Sequence, residues 1–454
     1  MLEHPSEDLL SNYALDPSLA EGVAKLEAHL AGCAPCRERL VVIRETEELF
    51  GQQDSWPDAR DTAPLPESGA LSATMARNRR EDAEADARLT PLVEKFLAQK
   101  SGAFMWADIA SSLEYHTGGV VRKLADAADR AQYSVPLRAL ILAETASEIV
   151  GMLSAKIYTS TEIAALRGLA WKQQANANRQ LGRFNAALEA LNRAERAYRE
   201  LRRPELDLAS VTFIRATIYS EQQIYDLAEQ HAEESTAAFA QLRQTELYFR
   251  SRQLQGYIAF GRRHFSEAQA IFESVFAYAE TSGDLFWIAA ASMALGNCSL
   301  ERHEFSSATQ CLHRGMVAFR DLGMLIEEVR CRWGLALVVL RDGRYRIAAG
   351  RLGEVRDEFV NLDAVSDAAL VTLDLMEAFL ALSKPREVRR TAGNIVKLFK
   401  DAGMVSGALT AADYLKQAAA MSKVTPSLID HIRMYLRRVT VQPDLVFAPP
   451  AASL

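Results

Sequence analysis

The sequence predicts an all-α protein: a small helical module, a flexible linker and a long array of stacked helical hairpins. Three observations predict it. Ala, Leu, Arg and Glu dominate the 454 residues and β-branched runs are scarce, which favours helix throughout. Residues 51–88 show no sustained period and contain Pro57, Pro64, Pro66 and Gly69, which break helices. From about residue 160 a short motif returns at a nearly constant spacing, the mark of a repeat architecture.

Composition excludes several classes. Charged residues are 24 % and hydrophobic residues 49 % of the chain, the balance of a soluble globular protein. No apolar run approaches the roughly 20 residues of a membrane span, so no membrane partner is expected. The opening "MLEHPSEDLL" is acidic and polar, unlike a secretory signal, and the expected compartment is the cytoplasm. Five cysteines do not make a disulfide framework in a chain this long. Residues 1–50 carry a net charge of −6 and 51–88 a net of −3, against −7 overall, so the remainder is slightly basic. An acidic front end repels nucleic acid, so direct nucleic-acid binding is not expected; it suits a basic protein partner.

The elements follow in order. In residues 1–50, "HPSEDLLSNYALD" offers Ser6 as an N-cap with Leu9, Leu10 and Tyr13 on one face. "PSLAEGVAKLEAHLAG" aligns Leu19, Val23, Leu26 and Leu30 and stops at Gly32. "PCRERLVVIRETEELF" turns Leu40, Ile43 and Leu49 inward. Three short helices have a thin core, and units this small usually need a staple. Residues 51–88 form the linker. "LTPLVEKFLAQ" (89–99) sets Leu89, Leu92, Val93, Phe96 and Leu97 on one face and belongs either to the front module or to the cap of the array. Two further helical stretches, 118–133 and 135–153, complete a cap over 89–159. The array itself spans 160–420. "SLIDHIRMYLRRV" then closes it, and an irregular tail completes 421–454.

Within the array, five stretches place an aromatic three residues before an alanine. The aromatics are Phe184, Tyr225, Phe265, Phe305 and Tyr345, each expected to plug a turn. The alanines are Ala187, Ala228, Ala268, Ala308 and Ala348, spaced by 41, 40, 40 and 40, with a degenerate sixth unit at Val388. Twelve positions before each alanine stands another small residue: Ala175, Ala216, Gly256, Gly296 and Ala336. Small residues on both sides of a short turn let two antiparallel helices pack closely. The pattern resembles the tetratricopeptide repeat over roughly 160–420, with a period near 40 in place of 34, so longer helices are expected. The resemblance implies a right-handed α-solenoid whose first helices line a concave, protein-binding face. Arg179, Phe213, Tyr257, Asn297 and Trp333 occupy such groove positions, where a second protein or peptide would dock.

"HLAGCAPCRERL" (29–40) carries the metal chemistry. His29 and Cys33 are four residues apart and share a helix face, and Pro35 lets Cys36 swing back toward them. Zinc takes four N or S ligands in a tetrahedron. His4, the remaining His or Cys of the first hundred residues, is the candidate fourth ligand. Zinc held this way supplies the missing staple. The stretch also resembles the zinc-binding anti-sigma domain, the putative zinc-finger of anti-sigma factors, over residues 1–50. That resemblance implies that the module sequesters a sigma factor. Many members of that family continue into a transmembrane helix, where this chain has a polar linker. Two other readings remain beside it: an adaptor whose zinc is only structural, and a redox switch in which oxidation of the Cys-x-x-Cys pair releases the metal.

No catalytic set is recognisable, so no enzyme is expected. "YHTGGV" (115–120) has two glycines but no following Lys and no preceding strand. Cys298, Cys311 and Cys331 fit no ligand spacing and read as small core residues, and His116, His231, His264 and His431 are scattered singly.

Overall fold

The computed structural model describes residue 5, residues 23–33, 36, 37 and 40, and residues 68–98, 103–402, 406–439 and 445–450. Among these residues all regular structure is helical. The chain divides into two compact units, one formed by residues 46–220 and 226–251, the other by 1–45, 221–225 and 252–454.

Helix α1 is Val23–Gly32. Helix α2 runs from Ser68 to Ala98 without interruption, past Pro91 and across the boundary at which a flexible linker was expected to end. The physical reason lies in its alanines. Ala85, Leu89, Val93 and Phe96 form one buried stripe, but its N-terminal part is written in Ala and Glu and shows no hydrophobic periodicity. The front part of the expected linker, residues 51–67, lies outside the described residues.

The cap continues with α3 (Ala103–Ser111), α4 (Gly118–Ala131) and α5 (Pro136–Met152). Leu89, Val93 and Phe96 share a core with Trp106, Leu124 and Leu142, so the 89–99 stretch belongs to this cap. The two glycines of "YHTGGV" are explained here. A Cβ at Gly119 would lie 2.3 Å from the Glu81 carbonyl oxygen, so α4 can cross α2 only with glycine at that point. Tyr158 pins the crossing: its hydroxyl donates to Glu81 Oε1 at 2.7 Å and accepts the Gly118 N–H at 2.9 Å. Burial, the largest cause, and the Glu81 carboxylate push its phenol up to about 12.

The array comprises α6 (Ser160–Gln180), α7 (Phe184–Tyr198), α8 (Glu205–Glu221), α9 (Tyr225–Gln241) and α10 (Thr245–Gly261), then α11 (Phe265–Ser282), α12 (Leu285–Glu301), α13 (Phe305–Asp321), α14 (Leu325–Arg341), α15 (Tyr345–Asn361), α16 (Val365–Ala381) and α17 (Pro385–Asp401). From α12 on, every helix of the array has 17 residues. Three-residue turns separate them, which accounts for the 40-residue period. Each turn places one residue in the left-handed region: Arg263, Gly283, His303, Gly323, Gly343, Asp363 and Ser383, twenty residues apart. The turn closes by a paired bond pattern, as where His303 N–H donates to Leu300 O at 3.1 Å and Glu304 N–H to Ser299 O at 2.8 Å. These bonds satisfy the last carbonyls of one helix before the next begins.

The alanine column Ala187, Ala228, Ala268, Ala308 and Ala348 is fully buried, and Val388 continues it. The earlier small residues admit side chains from the paired helix. Phe272 fills the space over Gly256, and Leu312 that over Gly296. The turn aromatics are less uniform than the sequence suggests. Each is the first residue of its helix, and exposure rises from 5 % at Phe184 to 37 % at Tyr345. The buried aromatics of the array stand fourteen residues later, at Tyr198, Phe239, Phe319, Phe359 and Phe399.

Helices α18 (Ser406–Ala420) and α19 (Pro426–Val439) close the second unit. Of the tail, residues 445–450 are irregular but anchored: Phe447 is buried against Tyr435, with ring centroids 5.0 Å apart, and Tyr435 donates to Leu445 O at 2.7 Å.

Two glycine substitutions test this packing in opposite directions. A Cβ at Gly256 would sit 2.6 Å from the Phe272 ring, so Gly256→Ala is expected to destabilise by about 1–3 kcal/mol. Gly393 in α17 has nothing within 4 Å of such a Cβ, so Gly393→Ala is expected to stabilise by up to about 1 kcal/mol through helix propensity. Urea unfolding of the two variants measures both.

Candidate metal centre and inner groove

Helix α1 delivers His29 in its last turn, and Leu26 and Leu30 bury the adjoining face. Cys33 follows the helix end. The chain then turns so that Arg37 N–H donates to Cys33 O at 3.2 Å. Arg37 also fastens the turn, its guanidinium donating to the carbonyls of Leu30 at 2.6 Å and Ala31 at 3.0 Å. Cys36 is thereby folded back into a small core with Leu26, Leu30 and Leu40.

The result brings His29, Cys33 and Cys36 together. One donor atom from each lies within 4.8 Å of the others, and His29 Nε2 is 3.3 Å from Cys36 Sγ. A tetrahedral zinc ion with bonds of about 2.0–2.3 Å spaces its donors by roughly 3.3–3.8 Å, so the three side chains fit it with small adjustments. Two thiolates balance the charge of a divalent ion. The negative end of the α1 dipole also favours a cation at this point. His4, expected as the fourth ligand, lies outside the described residues. So do Ser6, Leu9, Leu10, Tyr13 and Leu19 of the first expected helices, and Ile43 and Leu49 of the third.

The other thiols behave differently. Cys298 and Cys331 are fully buried, and loss of water pushes each up to about 12. Burial also raises Cys311. They are packing residues with no thiolate at neutral pH.

In the second unit the first helices of successive pairs touch directly, α12 against α14 and α14 against α16, which makes theirs the inner side of the stack. Tyr257 is 42 % exposed, yet loss of bulk water, the largest cause, and the nearby Cys298 push its hydroxyl up to about 12. Asn297 is half-buried on α12. Trp333 acts as a strut between repeats, its indole N–H donating to Asp374 Oδ2 at 2.7 Å. In the other unit, Phe213 is half-buried edge-on to Phe239 with centroids 6.4 Å apart. Arg179 was expected to line the groove and is only 8 % exposed, because its helix turns that face into the packing.

A buried charge cluster escaped the sequence reading. Asp374 sits in an otherwise apolar stretch of α16 and is 4 % exposed. Arg433 of α19 donates to it at 2.8 Å and to Glu377 at 3.2 Å, and also pairs with Asp430. Burial raises the Asp374 carboxyl, opposed by the charge of Arg433 and the Trp333 N–H. Two carboxylates, Asp374 and Glu377, within the otherwise apolar "LVTLDLMEAFL" are the signal that points to it. Beside this cluster a cavity of about 260 Å³ lies between α14, α16, α17 and α19, with Arg330, Asp367 and Arg437 facing Leu370, Phe399 and Leu436.

No protein-family model matches the chain, and no curated protein does. Solved structures do align with it. Aspartyl phosphate phosphatase F from Bacillus subtilis aligns at 13 % identity and TM-score 0.49, over 88 % of this chain and 96 % of its own. A STAND signal-transduction ATPase with a tetratricopeptide repeat sensor, from Pyrococcus horikoshii, aligns at 13 % identity and TM-score 0.47, over 97 % of this chain and 72 % of its own. A Rap protein complexed with competence and sporulation factor aligns at 12 % identity and TM-score 0.45, over 75 % and 99 %.

Two outcomes follow from these sites. Arg433→Met is expected to cost about 3–5 kcal/mol in urea unfolding, because it strands the buried Asp374 carboxylate, and adding Asp374→Asn should recover part of that loss. Alkylation of the folded protein at pH 8 should leave Cys298 and Cys331 unmodified until denaturant is added, as read by mass spectrometry of peptides.

Proposed function

We propose that this chain is a non-enzymatic, protein-binding adaptor: a tetratricopeptide-like solenoid with a zinc-stapled helical module at its front. The observation that carries the reading is the direct stacking of first helices, α12 on α14 and α14 on α16, with the exposed aromatic Tyr257 on the first helix of the preceding pair. An exposed aromatic of this kind takes an apolar or aromatic side chain of a partner. In this reading His29, Cys33 and Cys36 hold zinc together with His4. The ion stabilises a module whose described core is only Leu26, Leu30, Cys36 and Leu40. Structural zinc contributes on the order of 10 kcal/mol of folding free energy. Among the described residues no helix is long and apolar enough to cross a membrane, in keeping with a cytoplasmic adaptor.

A second, finer reading is favoured by one feature, the convergence of His29, Cys33 and Cys36 in the spacing of the zinc-binding anti-sigma domain. In it the acidic module grips a sigma factor while the solenoid senses or docks a second protein, making the chain a transcription regulator. A redox variant, in which oxidation of Cys33 and Cys36 releases zinc and partner together, has the same donor set.

Purified under reducing conditions, the protein is expected to carry about one zinc per chain. Cys33→Ser with Cys36→Ser should remove the metal and expose residues 1–50 to protease while the solenoid keeps its melting temperature. A chain without zinc overturns the ligand assignment. A photo-crosslinking residue in place of Tyr257 should trap a discrete host protein, and its failure to do so contradicts the adaptor reading. Co-expression with the sigma factor encoded beside it separates the two readings: a metal-dependent complex supports the regulator, and its absence removes it.

A further inference from the structure

The protein has a net charge of −7, yet one surface reverses that sign. Residues 384–401 contain six cations, Lys384, Arg386, Arg389, Arg390, Lys397 and Lys400, against two carboxylates, Glu387 and Asp401. All six are exposed. They lie along the solvent face of α17, and the span from Arg386 to Lys400 is about 21 Å at helical rise. Arg390 pairs with Glu387 at 2.6 Å. Among the described residues the other five have no carboxylate within ion-pair distance.

The neighbouring second helix extends the surface. Leu398 of α17 packs against the core that also holds Leu352, Val355 and Phe359 of α15, so the two helices contribute to one core. Arg344, in the turn before α15 and paired with Asp342 at 2.6 Å, and Arg346 and Arg351 on α15 are exposed, beside the exposed Glu354 and Asp357. Arg344 and Arg346 stand in the same register as Lys384 and Arg386, forty residues earlier. Ile347 beside them is 51 % exposed, and Tyr345 37 %.

Helix-interior glycines supply an independent observation. Gly353 and Gly393 occupy the same register of the two helices, and Gly350 lies one turn earlier. At none of the three would a Cβ meet any atom within 4 Å. The fold therefore does not need glycine there, although glycine weakens a helix. Glycine on a helix face lets another backbone approach closely. Cations, an exposed isoleucine and a tyrosine, and bare backbone together make a protein-docking surface. Phosphate-backbone binding would use the cations but not the apolar side chains.

We infer that the paired outer faces of α15 and α17 form a second docking surface, which takes an acidic amphipathic helix of a partner protein. Its carboxylates meet Arg346, Arg386, Arg389 and Lys397, its apolar residues meet Ile347 and Tyr345, and its backbone lies over Gly353 and Gly393. The surface is distinct from the inner face, so its failure leaves the Tyr257 groove untouched.

The test uses the full-length protein and a fluorescein-labelled peptide of about 20 residues, long enough to span the helices, with Leu at i, i+3, i+4 spacing and Glu elsewhere. Anisotropy should report saturable binding that weakens as salt rises. Arg386→Glu with Arg389→Glu should reduce affinity at least about tenfold, as loss of charge complementarity requires. Gly393→Gln changes no charge and its Cβ would meet no atom within 4 Å, and it should weaken binding about fivefold or more by blocking close approach. Far-UV circular dichroism and melting temperature verify that both variants remain folded. Three results overturn the inference: no binding to the wild-type protein, binding unchanged in either variant, or a DNA duplex that binds the same cations more tightly than the peptide does.

Discussion

Close approach between helices, made possible by one small residue on each partner, is the constraint on which the solenoid depends. Two helices can turn back on each other after three residues only if their axes come near enough to bury what the short turn brings together. Ala187, Ala228, Ala268, Ala308 and Ala348 provide that on the second helix of each pair. Gly256 and Gly296 provide it on the first, under Phe272 and Leu312. The left-handed turn residues every twenty positions then convert a local packing rule into a period. Stacking follows, because a single hairpin leaves one apolar side uncovered and its neighbour covers it.

Between α14 and α16 of the second unit the stacking is reinforced by polar struts. Arg330 reaches Asp367 at 2.9 Å, Trp333 reaches Asp374 at 2.7 Å and Arg341 reaches Glu377 at 3.0 Å, each joining first helices of successive pairs. Arg433 brings the closing helix into the same network. Individually exposed pairs contribute little. The buried pair is different, since removing either partner would strand a charge. The end of the array is thus specified by a charge match as well as by apolar burial.

The repeat, the helix type and the small-residue columns were legible because they are local and recur. So was the meeting of His29, Cys33 and Cys36, which lie within eight residues on one helix and the turn after it. Three features were not legible, for three physical reasons. The stripe of α2 is spelled in alanine near Ala85, where hydrophobic periodicity has no contrast. The fully buried aromatics at Phe239, Phe319 and Phe359 follow the turn aromatics Tyr225, Phe305 and Tyr345 by fourteen residues, and the nearer aromatic carries the stronger local pattern. The pairing of Asp374 with Arg433 spans 59 residues, and only the folded stack brings them together. Of the expected groove positions, Arg179 is only 8 % exposed.

The functional account joins a metal-held module to a protein-binding stack, and the module is the part on which it stands or falls. Without an ion, four core residues and one guanidinium cap hold the described part of the module. X-ray absorption at the zinc edge of the purified, reduced protein reads the donor set directly. The account predicts two sulfur neighbours at about 2.3 Å and two nitrogen neighbours at about 2.0 Å. A first shell of oxygen and nitrogen alone, or zinc absent from the sample, would contradict it.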